Sequence, residues 1–369
     1  MVSNRIYVNY GQDPGRMVQE ILTHMQIERS IPENALIGIK PNLVVAKPST
    51  SGATTSPALV GGIIEYLKAK GRNNIVILES SWIGERTSRA FEVCGYNELA
   101  LKYGVQLIDL QRDSCTAHQA GGMEIAVCDA VTRLDYLINV PVLKGHCQTK
   151  ITCALKNLKG CIPNSEKRRF HTMGLHKPIA YLNKIIRTDL VIVDGIMGDL
   201  DFEEGGNPVQ MDMVLAGRDP VLVDSYVAGL LGYAPEEIGY LRIAESIGVG
   251  SFVDESTEVI ELNKEYSGMR GAPTRKIERL AQYVDEKDAC SACYGSLIRA
   301  LARLDEQGLL GQIPGKIHIG QGYRGKSGTG IGVGACARGF AVSVRGCPPT
   351  AREIIEAIAR IVQQQTNLY

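Results

Sequence analysis

Four cysteines toward the carboxyl end of the chain, Cys290, Cys293, Cys336 and Cys347, have the spacing C-x2-C-x42-C-x10-C. The first pair precedes the amphipathic helical pattern "YGSLIRALARLDEQG". Cys336 lies in the glycine-rich run "GTGIGVGACARG", and Cys347 opens "CPPTAREIIEAIARI", where two prolines lead into another helical pattern. Four thiolates drawn from two loops and two helix starts suit a 4Fe-4S cluster, because each iron takes one terminal sulfur and backbone N–H groups can meet the sulfides. Gly334 and Gly346 allow the backbone that close approach, which makes them candidate cofactor-binding positions. Helix N-termini also favour thiolate over thiol. Zinc takes the same four donors and is the alternative, although structural zinc sites usually come as two close pairs and only one C-x2-C is present here. Cysteines packed in a core without a ligand role are the bland reading.

A second group lies in "VPVLKGHCQTKITCALKNLKGCIPNSEKRRFHTMGLH", residues 140–176. Lys144 and His146 follow the apolar run "LDYLINV" (134–140), which puts them past the carboxyl end of a strand, where open α/β sheets bind ligands. From Lys150 the spacing predicts a helix with Lys156 and Lys159 one turn apart, and His171 and His176 arriving from the loop after it. Lys40, Asn42 and Asp194 take equivalent places after other strands. Several lysines, histidines and an acid suit the holding of a small anionic substrate and the movement of a proton, with Lys144, His146, Lys156 and His171 as catalytic candidates. The competing reading makes the lysines a solvated helix face. Cys147, Cys153 and Cys161 read as core, and Cys94, Cys115 and Cys128 as ordinary. The acidic "DLDFEEGGNP" (199–208) reads as an exposed loop rather than a cation site.

The segment "GQGYRGKS" (320–327) fits the letters of a phosphate-binding loop. That mechanism needs a helix starting at the Lys-Ser pair, and the glycines that follow cost about 1 kcal/mol each in a helix interior. No nucleotide site is expected there.

Positioning these groups requires a scaffold. Short Ile/Val-rich runs at 35–40, 74–80, 105–110, 134–140 and 189–195 alternate with helical patterns such as "SPALVGGIIEYLKAKG". The alternation predicts an α/β fold, a mostly parallel sheet covered by helices, with a small C-terminal α/β segment carrying the four cysteine ligands. The expected division is a main domain over 1–262 with the Lys/His pocket, a linker or crossover over 263–287, and an iron-sulfur segment over 288–369.

The bounds agree with this. At 369 residues the chain has room for about two domains. Lys plus Arg and Asp plus Glu number 40 each, so no global field favours nucleic acid. No apolar run reaches membrane-spanning length, and the amino terminus lacks a leader pattern, so a cytoplasmic protein with no membrane partner is expected. Ten cysteines in a chain this long do not resemble a disulfide scaffold.

The pieces "IKPNLV", "TTSPALVGGII", "LINVPVLKGHCQTKITCALKNLKGCIP", "FHTMGLH", "DLVIVDGIMG", "VLAGRDPVLVDSYVAGLLG" and the four-cysteine region together resemble the domain-of-unknown-function family 362, whose members are described as iron-sulfur-centre proteins. The resemblance implies an α/β fold and a cluster, and no established reaction. "GCPP" ahead of a helix also resembles the proximal cluster loop of respiratory complex I and of hydrogenase small subunits. The Lys/His run is loosely similar to nickel-dependent lactate racemases. The resulting expectation is an iron-sulfur oxidoreductase acting on a small anionic substrate, served by a redox partner protein. The alternatives are a non-catalytic electron carrier or assembly protein, and a racemase-like or lyase-like enzyme with a structural cluster.

Overall fold

The structure, a computed structural model, describes residues 4–263 and 276–366. The chain forms two compact units: Met1–Phe170 with Leu175–Pro273, and His171–Gly174 with Thr274–Tyr369.

In the first unit the strands in chain order are β1 (Arg5–Tyr10), β2 (Ile37–Pro41), β3 (Ile75–Glu79), β4 (Gln106–Asp109), β5 (Cys115–Ala120), β6 (Met123–Cys128), β7 (Tyr136–Val140), β8 (Val142–His146), β9 (Lys150–Thr152), β10 (Leu190–Asp199), β11 (Pro208–Gly217) and β12 (Glu258–Glu261). The central sheet runs β12-β1-β11-β10-β7-β2-β3-β4, with β8 and β9 branching from β10, while β5 and β6 form a separate antiparallel pair. The strands β10, β7, β2, β3 and β4 are parallel in sequence, and β11 enters antiparallel between β10 and β1.

Alternate residues of the strands serve opposite faces. Ile75 and Ile77 enter one apolar core while Val76 and Leu78 enter the other. Helices Pro14–Met25 and Pro57–Ala69 cover the first face, and His176–Ile185, Pro220–Leu230 and Gly239–Ser246 cover the second. Three of these helices open alike. Asp13, Ser56 and Asp219 each accept backbone N–H bonds at the N-cap, with Pro at the next position. The cap satisfies amides that the helix leaves unpaired, and proline needs no partner there.

The second unit has β13 (Val284–Glu286), β14 (Ile317–Ile319), β15 (Ser327–Val333) and β16 (Gly339–Val344), all parallel and in sequential order. Helices Lys276–Ala281, Ser291–Glu306 and Ala351–Thr366 belong to it. Its core is small: Leu297, Leu301 and Leu304 from one helix, Ile354, Ile358 and Val362 from another, and Ile317, Ile319, Ile331 and Val333 from the strands.

The mixed α/β fold and the large, mostly parallel sheet are as expected. The second unit begins earlier than expected, because β13 and the helix before it fall within the stretch read as a linker; 264–275 lie outside the described residues. After Lys326 the chain continues directly into β15 and starts no helix, as the glycines required.

Candidate functional site

In the first unit, Lys40 near the end of β2, Glu79 at the end of β3 and Asn139 near the end of β7 meet at the carboxyl edge of three adjacent parallel strands, with Lys40 and Asn139 in register. Lys40 Nζ donates to Glu79 Oε2 at 2.9 Å, to the Pro41 carbonyl at 2.8 Å and to Asn157 Oδ1 at 3.3 Å. Both members of this ion pair are buried. The pair lies against the backbone of Gly160, where a Cβ would come 2.1 Å from Glu79 Oε1 and 2.5 Å from Lys40 Nζ. A side chain at this position would push the ion pair aside.

Asparagines link the pair to the next strand. Asn157 donates to Asn139 Oδ1 and accepts from Asn42 Nδ2, and Asn42 Oδ1 accepts from Lys144 Nζ at 2.6 Å. Lys144 also donates to the carbonyls of Ala53 and Glu203, at 2.7 and 2.8 Å. All three N–H bonds of each lysine, Lys40 and Lys144, therefore have acceptors. Burial pulls the Lys144 pKa down to about 7, with Lys156 adding repulsion and Glu203 opposing the fall.

Lys144 and His146 lie two residues apart on β8 and so share a face. Nδ1 of His146 accepts the backbone N–H groups of Gln148 and Thr149, both at 3.0 Å, which assigns the ring proton to Nε2, 3.3 Å from Glu203 Oε1. Burial, and after it Lys156, lowers the His146 pKa to about 4. The other Glu203 oxygen pairs with Lys156, whose Nζ also reaches Thr152 Oγ1 at 3.1 Å. Lys156 and Asn157 ride on the short buried helix Ala154–Asn157, whose first amides are held by the Asp224 carboxylate. Nearby, Lys159 falls to about 7 and Lys167 to about 8, each through burial first. Lys167 donates to the Ser80 carbonyl and hydroxyl and to the Ser81 carbonyl.

Several expectations change. Lys144 and His146 lie within a strand of their own, because Pro141 interrupts β7 and the chain resumes as β8. Residues 150–152 form β9, which returns antiparallel to β8, so the helix expected from Lys150 is a single turn after Cys153. His171 sits in the helix Asn164–Met173 rather than in a loop, and the stretch 171–174 goes with the second unit. The structure thus gathers Lys144, His146 and Lys156 within the first unit. His176 opens its own helix and stacks on Tyr240. Asp194 lies inside β10 and accepts the Ser56 and Ile196 amides. The acidic loop is not simply exposed: Glu203 turns inward and joins the lysines. Its position could not be read from composition, since the signal is a pairing across 47 residues of sequence. Glu79, at a strand end, was open to detection by the same argument that found Lys40.

The second unit repeats the edge principle with different chemistry. Cys290 follows β13 and caps the helix Ser291–Glu306, Cys336 lies in the turn Ala335–Ala337 after β15, and Cys347 follows β16. Since the strands are parallel, all four cysteines lie beyond one edge of the small sheet. The loops bearing Cys336 and Cys347 are tied by the Ala335 amide to the Gly346 carbonyl at 2.8 Å, and a Cβ on Gly334 would stand 3.5 Å from Cys293 Sγ. Both Gly334 and Gly346 have positive φ, 90° and 142°. The four are free thiols. Burial, then Cys290, Cys347 and Cys336 in turn, push Cys293 up to about 12, while burial and the charges of Cys336 and Cys347 push Cys290 up. Two donors face the sulfurs: Arg324 Nε at 3.4 Å from Cys336 and Gln321 Nε2 at 3.7 Å from Cys290. Among the described residues no three His, Cys, Asp or Glu side chains already stand as ligands of one metal ion. A cluster asks for a different arrangement, one thiolate on each of four irons.

Of the six remaining cysteines, Cys94, Cys128, Cys153 and Cys161 are buried core, and Cys147, expected there, is half-buried. Cys115 and Cys128, opposite each other on β5 and β6, bring their sulfurs to 3.5 Å.

The family described as Domain of unknown function (DUF362) matches residues 37–229, just over half of the chain. A thylakoid-associated protein (sll1697) of Synechocystis sp. is 24% identical over 230 residues, covering 59% of this chain and 70% of that one. The lactate racemase apoprotein of Thermoanaerobacterium thermosaccharolyticum superposes with a TM-score of 0.39 at 13% identity, covering 65% of this chain and 56% of that structure. Among the described residues no helix is long and apolar enough to cross a membrane.

Proposed function

The chain belongs to the DUF362 family, and we propose that it is an iron-sulfur oxidoreductase whose second unit holds a 4Fe-4S cluster and whose first unit binds a small anionic substrate. The observation that carries the cluster reading is the meeting of four thiols beyond one edge of a parallel sheet, where Arg324 faces Cys336 and Gln321 faces Cys290. A cluster would take Cys290, Cys293, Cys336 and Cys347 as ligands and supply one-electron transfer, exchanged with a redox partner protein. Arg324 would offset negative charge at Cys336. Gly334 and Gly346 leave the backbone bare beside the sulfurs, as close approach demands.

The anion-binding reading is supported by charge. Five lysines, Lys40, Lys144, Lys156, Lys159 and Lys167, gather near two carboxylates, Glu79 and Glu203, with His146 neutral. Burial and mutual repulsion hold Lys144, Lys159 and Lys167 at about 7 to 8. An added anion relieves that repulsion. Lys156 and the Nε2–H of His146 would orient it, and Lys159, near neutrality, is suited to holding or giving a proton.

Anaerobic reduction tests the redox half. A brown protein whose visible absorption bleaches with dithionite and returns on reoxidation supports it; protein that carries metal yet shows no redox-dependent spectrum contradicts it. The acid-base set also favours a second reading, a redox-neutral enzyme in which the cluster is structural. Exchange of a substrate C–H for solvent deuterium without any electron acceptor would select that reading over the first.

A further inference from the structure

Glu203 stands apart from its loop. Its carboxylate spans two donors, Oε1 to His146 Nε2–H at 3.3 Å and Oε2 to Lys156, while its carbonyl takes a bond from Lys144. The donors behind it are almost completely enclosed, with Lys144, His146 and Lys156 at 0%, 3% and 4% exposure, yet the Glu203 side chain is 27% exposed. The Glu203 side chain is therefore what separates solvent from the enclosed donors. The backbone of the loop is held at its root, where Asp199 accepts the amides of Asp201, Phe202 and Asn207, and at its tip, where Lys144 and Lys47 donate to the carbonyls of Glu203 and Glu204, so the group free to exchange is the Glu203 side chain alone. Just beyond Glu203 and Glu204, Gly205 and Gly206 have φ of 68° and 138°, a turn conformation that glycine adopts without strain.

We infer that the Glu203 carboxylate is a built-in stand-in for the carboxylate of a small organic acid, which binds by taking its place on His146 Nε2–H and Lys156 Nζ. The inference rests on the proposed anion-binding reading and names the ligand class of that site. A planar carboxylate reproduces the two oxygens and the single negative charge these donors now meet. A tetrahedral dianion brings a further oxygen and a further charge. Exchange of one carboxylate for another leaves the charge of the enclosed cluster unchanged, so the swap avoids the cost of an unpaired buried lysine. It also limits apparent affinity. If Glu203 occupies the donors about nine-tenths of the time, a ligand binds about tenfold more weakly than to the vacated site.

The test uses acetate and the full chain. Wild type and Glu203→Ala are titrated with sodium acetate, with sodium chloride and inorganic phosphate at matched ionic strength as controls, and thermal midpoint and histidine 15N spectra are recorded. The inference predicts that Glu203→Ala melts lower than wild type without acetate, regains stability with acetate but not with chloride, and binds acetate at least about tenfold more tightly than wild type. The His146 Nε2 resonance should move on binding. Glu203→Gln, which keeps the size and removes the charge, serves if the alanine variant does not fold, and should shift affinity in the same direction by less. Equal acetate affinity in wild type and variants overturns the stand-in role while leaving an anion site intact. Phosphate outcompeting acetate overturns the carboxylate class. No anion response in any form overturns both this inference and the anion-binding reading beneath it.

Discussion

The two units place chemistry at the same location, the carboxyl edge of a parallel sheet, and complete it in opposite ways. In the first, five lysines meet carboxylates, amides and carbonyls supplied by the chain itself, down to the Glu203 side chain that closes the group. In the second, four thiols face one another, with an arginine and a glutamine as the polar partners found on them. Opposite charges and acceptors make a centre that folds complete. In the proposed reading four thiols would become a complete centre only by giving up protons to an outside cation, and metal binding would then count as folding energy there. Core size points the same way, since the second unit buries far fewer apolar side chains around four short strands.

Removing metal should break the comparison most visibly. Chelation of the intact protein is expected to open protease cleavage between residues 276 and 316 by an order of magnitude or more, with the first unit cut no faster than before. Equal rates with and without metal would mean that the thiol unit folds unaided. The next effect belongs to the other centre. Lys40→Met leaves Glu79 charged and buried and should cost about 3–5 kcal/mol in chemical denaturation, while the double variant Lys40→Met/Glu79→Leu recovers part of the loss. A single-variant cost below 1 kcal/mol would mean that water reaches the pair.

Acid provides a third, somewhat smaller test. The folded His146 takes up a proton only near pH 4, whereas the unfolded ring does so near its ordinary 6.5. Between those values the unfolded state binds more protons, so stability falls as pH drops from 6.5 to 4, by up to about 3 kcal/mol for this group. Glu203 acts in the same sense at lower pH, because its carboxyl is held well below the usual range by Lys156 and His146 against the cost of burial. His146→Gln should flatten the acid limb of a stability profile above pH 4; an unchanged slope would exclude His146 as its source. The smallest effect is a control. Cys94 is buried core, with its thiol on the Lys47 carbonyl at 3.1 Å, and Cys94→Ser should leave metal content unaltered.

Much of the frame was legible because it is local or periodic. The Ile/Val runs of β2, β3, β4 and β7 and the Pro-started helices carry their own signals, and a strand-end argument found Lys40, while it placed Lys144 and His146 past β7 where they lie within β8. The glycines after Lys326 correctly spoke against a helix. What escaped depends on distant pairing. Asp224 holds the first amides and so sets the start of the helix at Ala154, the chain tightens into a 3-10 turn over Leu158–Cys161 where helical spacing ran on, and the return of β9 against β8 converts Lys150 from helix to strand. Glu203 looks like a solvated acid until the hairpin of β10 and β11 folds it over β8, where a Cβ on Gly145 would stand 2.0 Å from the Leu200 carbonyl. Hydrophobic period shows which face a residue takes, and it says nothing about a charge that must cross a loop to find its partner.

The central claim is the cluster, and elemental analysis of anaerobically purified protein tests it most directly. The account predicts about four iron and four acid-labile sulfide per chain, lost together in Cys347→Ser. Stoichiometric zinc without sulfide, or full iron and sulfide retained in Cys347→Ser, would contradict it.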